Sequence, residues 1–194
     1  LKKSDKVLTM SWTGHWITKE MDAWVKMTTM KNWNDYTNAV KDFGVPGQNI
    51  VYADRNGNIG WRPAVYVPIR REGFSMVPRP GDNKDYDWKG KVPFEEMPFL
   101  YNPAKGFIAT ANNRTIDADF PYYVSGLWAD PSRASRIEEM LEEKDDLSIN
   151  DMKKIQLDYT SNFAKEIIRH LSNRPLNDMG EEQVKVFNHI VEWD

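Results

Sequence analysis

The chain has 194 residues, with 26 Lys and Arg against 29 Asp and Glu, 40% hydrophobic residues, eight each of Trp, Tyr and Phe, and no cysteine. A chain of this length can bury roughly 70% of its extended surface, enough for a core. A formal charge of −3 offers no basic patch for nucleic acid, and the missing cysteine excludes disulfides, a thiolate nucleophile and Cys-ligated zinc. No run approaches the ~18 apolar residues that would cross a bilayer, and the charged opening Leu1–Lys6 lacks the apolar stretch of a signal peptide. Neither nucleic acid nor a membrane is expected as a partner.

Along the chain, Leu8-Thr9-Met10-Ser11-Trp12 alternates like a half-buried strand that stops at Gly14. Thr18 is placed to cap the next segment, in which Trp24, Val25, Met27, Met30, Trp33, Tyr36 and Val40 recur at spacings of three or four, predicting one or two amphipathic helices. Gly44-Val45-Pro46-Gly47 ends them. Ile50–Asp54 and Ile59–Trp61 flank Asn56-Gly57, where both residues tolerate positive φ, and predict a β-hairpin. Seven prolines between Pro63 and Pro103 predict a long irregular excursion, which Tyr86, Trp88, Phe94, Phe99 and Tyr101 can pin to a larger body.

Gly106–Ala111 returns to strand character and stops at Asn112-Asn113. After Asp130-Pro131-Ser132 a helix is expected from about Arg133 to Lys144. Ser148 and Asp151 have the spacing of a capping box, and further helices run through Phe163–Leu171 and Val184–Val191, separated by the turn-prone Asn173–Asp178. The order indicates an α/β or α+β body with a helical C-terminal third.

Most catalytic constellations are missing from the sequence. Ser75 lacks the second glycine of a nucleophile elbow, His15, His170 and His189 have no partner at ligand spacing, and the glycines are spaced for turns rather than phosphate loops. Two places remain. Asn112-Asn113 ends a predicted strand, where a carboxamide N–H could hold an oxyanion without changing charge; Asn is also a common strand terminator. Arg133 falls on the helical face that holds Ile137 and Met140, so its charge either snorkels from the first turn or reaches a polar cavity.

Several colinear segments over about residues 8 to 160 resemble the β-chain of the penicillin acylase family, within the N-terminal nucleophile hydrolases. They are Ser11-Trp12-Thr13-Gly14, Asn32-Trp33, Gln48–Asp54 with Gly57-Asn58-Ile59-Gly60, Pro80-Gly81, Tyr86–Gly90, Pro93-Phe94, Asn102-Pro103, Gly106, Ala111-Asn112-Asn113 and Arg133–Leu141. The resemblance implies an α+β fold, part of an αββα sandwich. One domain over 1–194 is expected, with sheet, loops and site in 1–147 and a helical part in 148–194.

The resemblance further implies hydrolysis of a linear amide in an acylated amine, of the penicillin, cephalosporin or N-acyl-homoserine lactone type. The nucleophile would be a serine freed at the N-terminus of the β-chain by autoproteolysis, with its own α-amino group as base. It matches Asn112 to the family's oxyanion asparagine and Arg133 to the arginine that organises the nucleophile's surroundings, and it puts Trp24 and Gln48 in the acyl pocket. No cofactor is implied as a requirement. Some family members bind calcium, but the position expected to be Asp is about Val124, with Asp117 and Asp119 upstream, so no metal site carries over.

Leu1 is not Ser, Thr or Cys, and the family's nucleophile lies well upstream of Ser-Trp-Thr-Gly. The chain is therefore expected to be an internal piece whose partners are the α-chain and the N-terminal part of the β-chain, and to be inactive alone. By analogy the location is extracytoplasmic or periplasmic. Two other readings stay open: a ligand-binding or scaffold domain that kept the acylase framework without its chemistry, and a helical interaction module over 148–194.

Overall fold

A computed structural model describes residues 7–70, 77–177 and 179–192. The charged opening, Ser75 and Asp178 in the last interhelical turn lie outside the described residues. The architecture is α+β: helices flank an open three-stranded sheet, and the C-terminal third is helical. The chain divides into two compact units. One takes in the described residues up to Thr110 together with Arg114–Trp128; the other takes in Ala111–Asn113 and the described residues from Ala129 onward.

In the first unit, α1 (Glu20–Thr29) and α2 (Trp33–Val40) precede an antiparallel sheet of β1 (Gln48–Ala53), β2 (Ile59–Ala64) and β3 (Leu100–Tyr101), in the order β1-β2-β3. Gln48 faces Ala64, and Tyr52 faces Gly60, across the β1–β2 hairpin. The hairpin forms where the Asn-Gly signal puts it, but Gly57, at φ +83°, is the residue of that pair with positive φ. Asp54 organises the turn. Its Oδ1 accepts from the backbone N–H groups of Asn56 (2.9 Å) and Asn58 (3.0 Å), while Oδ2 accepts from Asn58 Nδ2 and the Tyr52 hydroxyl, both at 2.8 Å. The Asn58 amide leads in holding its carboxyl down at about 2, against the opposing effect of burial.

The core of this unit joins Ala23, Tyr36, Val40, Phe43, Tyr52 and Ala64. Tyr36 is fully buried, and its hydroxyl links α2 to both hairpin strands. It donates to the Ile50 carbonyl at 2.7 Å and accepts from the Arg62 N–H at 3.0 Å. Burial pushes that phenol up to about 12, so it remains a neutral donor. Gly60 is needed for close packing: a Cβ there would lie 2.2 Å from the Trp33 ring. Trp33 in turn stacks on Tyr36, with 4.9 Å between ring centroids, and meets Tyr101 at 4.8 Å.

The long excursion is irregular, as its prolines predict, and its aromatic side chains pin it. Trp88 meets Trp16 edge-on at 5.6 Å. The buried Arg62 guanidinium lies 4.4 Å from the Phe94 ring centre and 4.6 Å from that of Phe99. Val67, Val92 and Met97 form a second small core.

Three local expectations are corrected. Leu8–Trp12 and Gly106–Ala111 are not strands: a strand needs a neighbour to take its N–H and C=O groups, and alternation along one segment does not supply one. Thr18 does not cap α1; its hydroxyl donates to Glu20 Oε2 at 2.7 Å. Glu20 Oε1 meanwhile accepts from the N–H groups of Gly44 and Val45, each at 2.9 Å, which ties the start of α1 to the turn before β1.

The second unit contains α3 (Ser132–Glu142), α4 (Ile149–Gln156), α5 (Asn162–Ser172) and α6 (Glu181–Val191). The capping box forms: Ser148 Oγ accepts from the Asp151 N–H, and Asp151 Oδ2 accepts from the Ser148 N–H at 2.8 Å. Ser161 caps α5 through the Ala164 N–H at 3.1 Å. Ala134 of α3 is buried, whereas α4, α5 and α6 contain no buried residue. Polar clasps tie α3 to α5 and to the segment after α4. Arg136 grips Asp158 with two bonds, at 3.0 and 2.9 Å, and Asn162 Nδ2 donates to Glu139 Oε1.

Candidate active site

The second unit brings Asn112 and Arg133 together. Asn112 sits at φ +61°, in the left-handed region. Asn enters this region more readily than other side-chain-bearing residues, because its short amide forms local hydrogen bonds. The backbone around it is tied on both sides. The Ala111 N–H donates to Asn113 Oδ1 at 2.9 Å, and the Ala129 N–H donates to the Asn112 carbonyl at 2.9 Å. The Asn112 side chain stands exposed beyond the buried Ala111.

Arg133 comes from the first turn of α3, whose start is fixed by Asp130 Oδ1 accepting from the Ser132 N–H at 2.9 Å. Ser132 accordingly holds the Asp130 carboxyl below the usual carboxylate range. Arg133 Nη2 donates to the Ala111 carbonyl at 2.7 Å and to Asn112 Oδ1 at 2.9 Å. The sequence left Arg133 in need of a partner, and here it has two, both neutral oxygens.

This contact decides which way the amide points. A guanidinium has only donors, so the Asn112 atom facing it is the oxygen. The N–H pair is then the edge of the amide that can meet a ligand. A cation on the oxygen also draws electron density from the nitrogen, so the same N–H groups become stronger donors. The arrangement can bind a localised negative charge on an oxygen atom. Sequence reading identified both side chains but not the left-handed turn, the Ala129 contact or the Asp130–Ser132 bond. The signals for these were the Asn-Asn pair and Asp130-Pro131-Ser132 before a helix.

Trp24 and Gln48 belong to the first unit. Trp24 lies half-exposed on α1, with its ring edge-on to Phe43 at 5.8 Å. Gln48 is exposed at the first position of β1. Val124, at the position where the resemblance would have an Asp, packs against the Val67–Val92–Met97 core. An apolar side chain in an apolar cluster does not fit a calcium ligand. Among the described residues no three His, Cys, Asp or Glu side chains gather as metal ligands.

The model of the penicillin amidase family matches residues 1–194. The chain belongs to that family. Penicillin G acylase of Escherichia coli is 34% identical over 170 residues, covering 86% of this chain and 18% of that protein. The acyl-homoserine lactone acylase QuiP of Pseudomonas fluorescens (strain Pf0-1) is 32% identical over 151 residues, covering 77% and 18%. The thermostable penicillin G acylase of Alcaligenes faecalis superposes with a TM-score of 0.67 at 22% identity, over 89% of this chain and 31% of that one, and so shares its fold. The chain thus spans less than a fifth of the length of these two curated relatives.

Proposed function

We propose that this chain is the oxyanion-binding part of an amide hydrolase that cleaves the linear C–N bond of an acylated amine. The observation that carries the reading is the amide of Asn112, oxygen bound to Arg133 and N–H edge outward. A serine at a processed N-terminus elsewhere in the whole protein would attack the substrate carbonyl, with its α-amino group taking the proton. The C–O bond forms and the carbonyl electrons move to oxygen, where Asn112 Nδ2–H donates to the new negative charge. One such donor contributes about 100- to 1,000-fold in rate. Collapse breaks the C–N bond, and the amine leaves with the proton; water then hydrolyses the acyl ester by the same steps.

Arg133 orients Asn112, and Trp24 and Gln48 contribute to the acyl pocket. Penicillins, cephalosporins and N-acyl-homoserine lactones are the candidate substrates. The exposure of Ile17, Val51, Ile149 and Leu157 supports further chain of the same protein packing over this one. The test is hydrolysis of a chromogenic phenylacetyl anilide, a penicillin and an N-acyl-homoserine lactone. The whole protein is expected to turn over at least one of them, and the 194-residue chain none. Turnover by the isolated chain would contradict a nucleophile supplied from elsewhere in the whole protein.

A further inference from the structure

We propose that Asn113 is a positioning residue that holds Asn112 in its left-handed conformation; this rests on the reading of Asn112 as the oxyanion donor. Asn113 Oδ1 accepts the Ala111 N–H at 2.9 Å, so its side chain reaches back across Asn112 and closes a ring over it. Asn112, at φ +61°, is the residue inside that ring. Two further backbone groups of the turn are also taken: the Ala111 carbonyl by Arg133 and the Asn112 carbonyl by the Ala129 N–H. Of these ties, the Asn113 bond is the one made by a side chain next to Asn112 in sequence.

The two asparagines therefore divide the work. Asn112 offers its N–H edge outward, whereas Asn113 spends its oxygen on the backbone. What Asn113 supplies to the turn is the acceptor Oδ1. Leu keeps the shape and removes it; Ala removes it without adding bulk. Left-handed backbone is uncommon for a residue with a side chain, so loss of the ring lets Asn112 relax and moves its Nδ2 away from the developing charge. A misplacement of about 1 Å costs on the order of 100-fold in rate.

The test is steady-state kinetics on the whole protein, using whichever of the phenylacetyl anilide, penicillin and N-acyl-homoserine lactone it hydrolyses fastest. Asn113→Leu and Asn113→Ala are expected to lower kcat by about 10- to 100-fold with KM little changed. Asn112→Ala is expected to cost about 100- to 1,000-fold, and adding Asn113→Ala to it to cost nothing further. If Asn112→Ala is disabling while Asn113→Ala keeps full kcat, or if adding Asn113→Ala to Asn112→Ala lowers kcat a further tenfold or more, the positioning role is wrong and the Asn112 reading survives. If Asn112→Ala keeps full kcat, or the unaltered protein hydrolyses none of the three, the Asn112 reading fails and takes this inference with it. Should Asn113→Leu not accumulate as folded protein, the Ala variant and the double variant decide the question.

Discussion

The two units of this chain hold themselves together by different means. The first buries Tyr36, Val40, Phe43 and Tyr52 between its helices and its sheet, whereas helices α4 to α6 of the second bury no residue, and the Arg136–Asp158 pair ties α3 to the segment after α4. An apolar core is insensitive to pH and salt, while exposed charge pairs are screened and titrate. The candidate site lies in the polar unit. Asn112 is held by hydrogen bonds to Arg133 and to neighbouring backbone, which fix the direction of a dipole in a way that apolar packing does not.

The largest effect is expected in the apolar unit. Tyr36→Ala opens a cavity under the sheet and should cost about 3–5 kcal/mol, as for other large aromatic truncations. Tyr36→Phe keeps the ring and leaves the Ile50 carbonyl and the Arg62 N–H without their partner, which should cost about 1–3 kcal/mol. Denaturant titration followed by tryptophan fluorescence measures both, because every tryptophan among the described residues lies in the first unit. Equal costs for the two variants would mean that the hydroxyl carries the site rather than the ring.

A smaller effect in the second unit depends on pH. Arg136 is the leading cause that takes the Asp158 carboxyl from its ordinary 3.8 to about 2, against the effect of burial. A depressed carboxyl contributes stability that is full above its unfolded value and is lost as pH falls from about 4 through about 2. Hydrogen-exchange protection of α3 and of the segment around Asp158, relative to the intrinsic rate at each pH, should therefore fall over that window. Asp158→Asn should start from the weakened state and flatten the dependence; an unaltered pH profile in that variant would show that the clasp is not what titrates.

The smallest expected change is Ser148→Ala, which removes the α4 cap at a cost of about 1 kcal/mol. Exchange protection at the start of α4 should fall, with the hairpin unaffected. A matching loss in β1 and β2 would mean that the two units do not respond separately.

What could be read from the sequence follows the same division by range. The β1–β2 hairpin, the Ser148 capping box and the four C-terminal helices are specified by residues within a few positions of one another, so local pattern sufficed. Leu8–Trp12 and Gly106–Ala111 have the alternation of strands, but pairing depends on distant partners that alternation does not report. The two-residue β3 is too short for any periodicity, and it is held by Asn102, whose backbone and side chain both bond to Ile59. At the site, the resemblance pointed to Asn112 and Arg133 as residues. Their contact spans 21 positions, and the left-handed turn that aims the amide depends on Asn113, Ala129 and Arg133 together.

The most direct measurement compares two ligands of the whole protein: a boronic acid bearing the acyl group of its best substrate, and the matching primary alcohol. The boronate forms a tetrahedral adduct with a serine nucleophile and so carries the charged oxygen that Asn112 is proposed to bind, whereas the neutral alcohol occupies the acyl pocket without one. Asn112→Ala should weaken the boronate by about 100- to 1,000-fold and leave the affinity of the alcohol unchanged. Equal weakening of both ligands, or of neither, would contradict an oxyanion-binding role for Asn112.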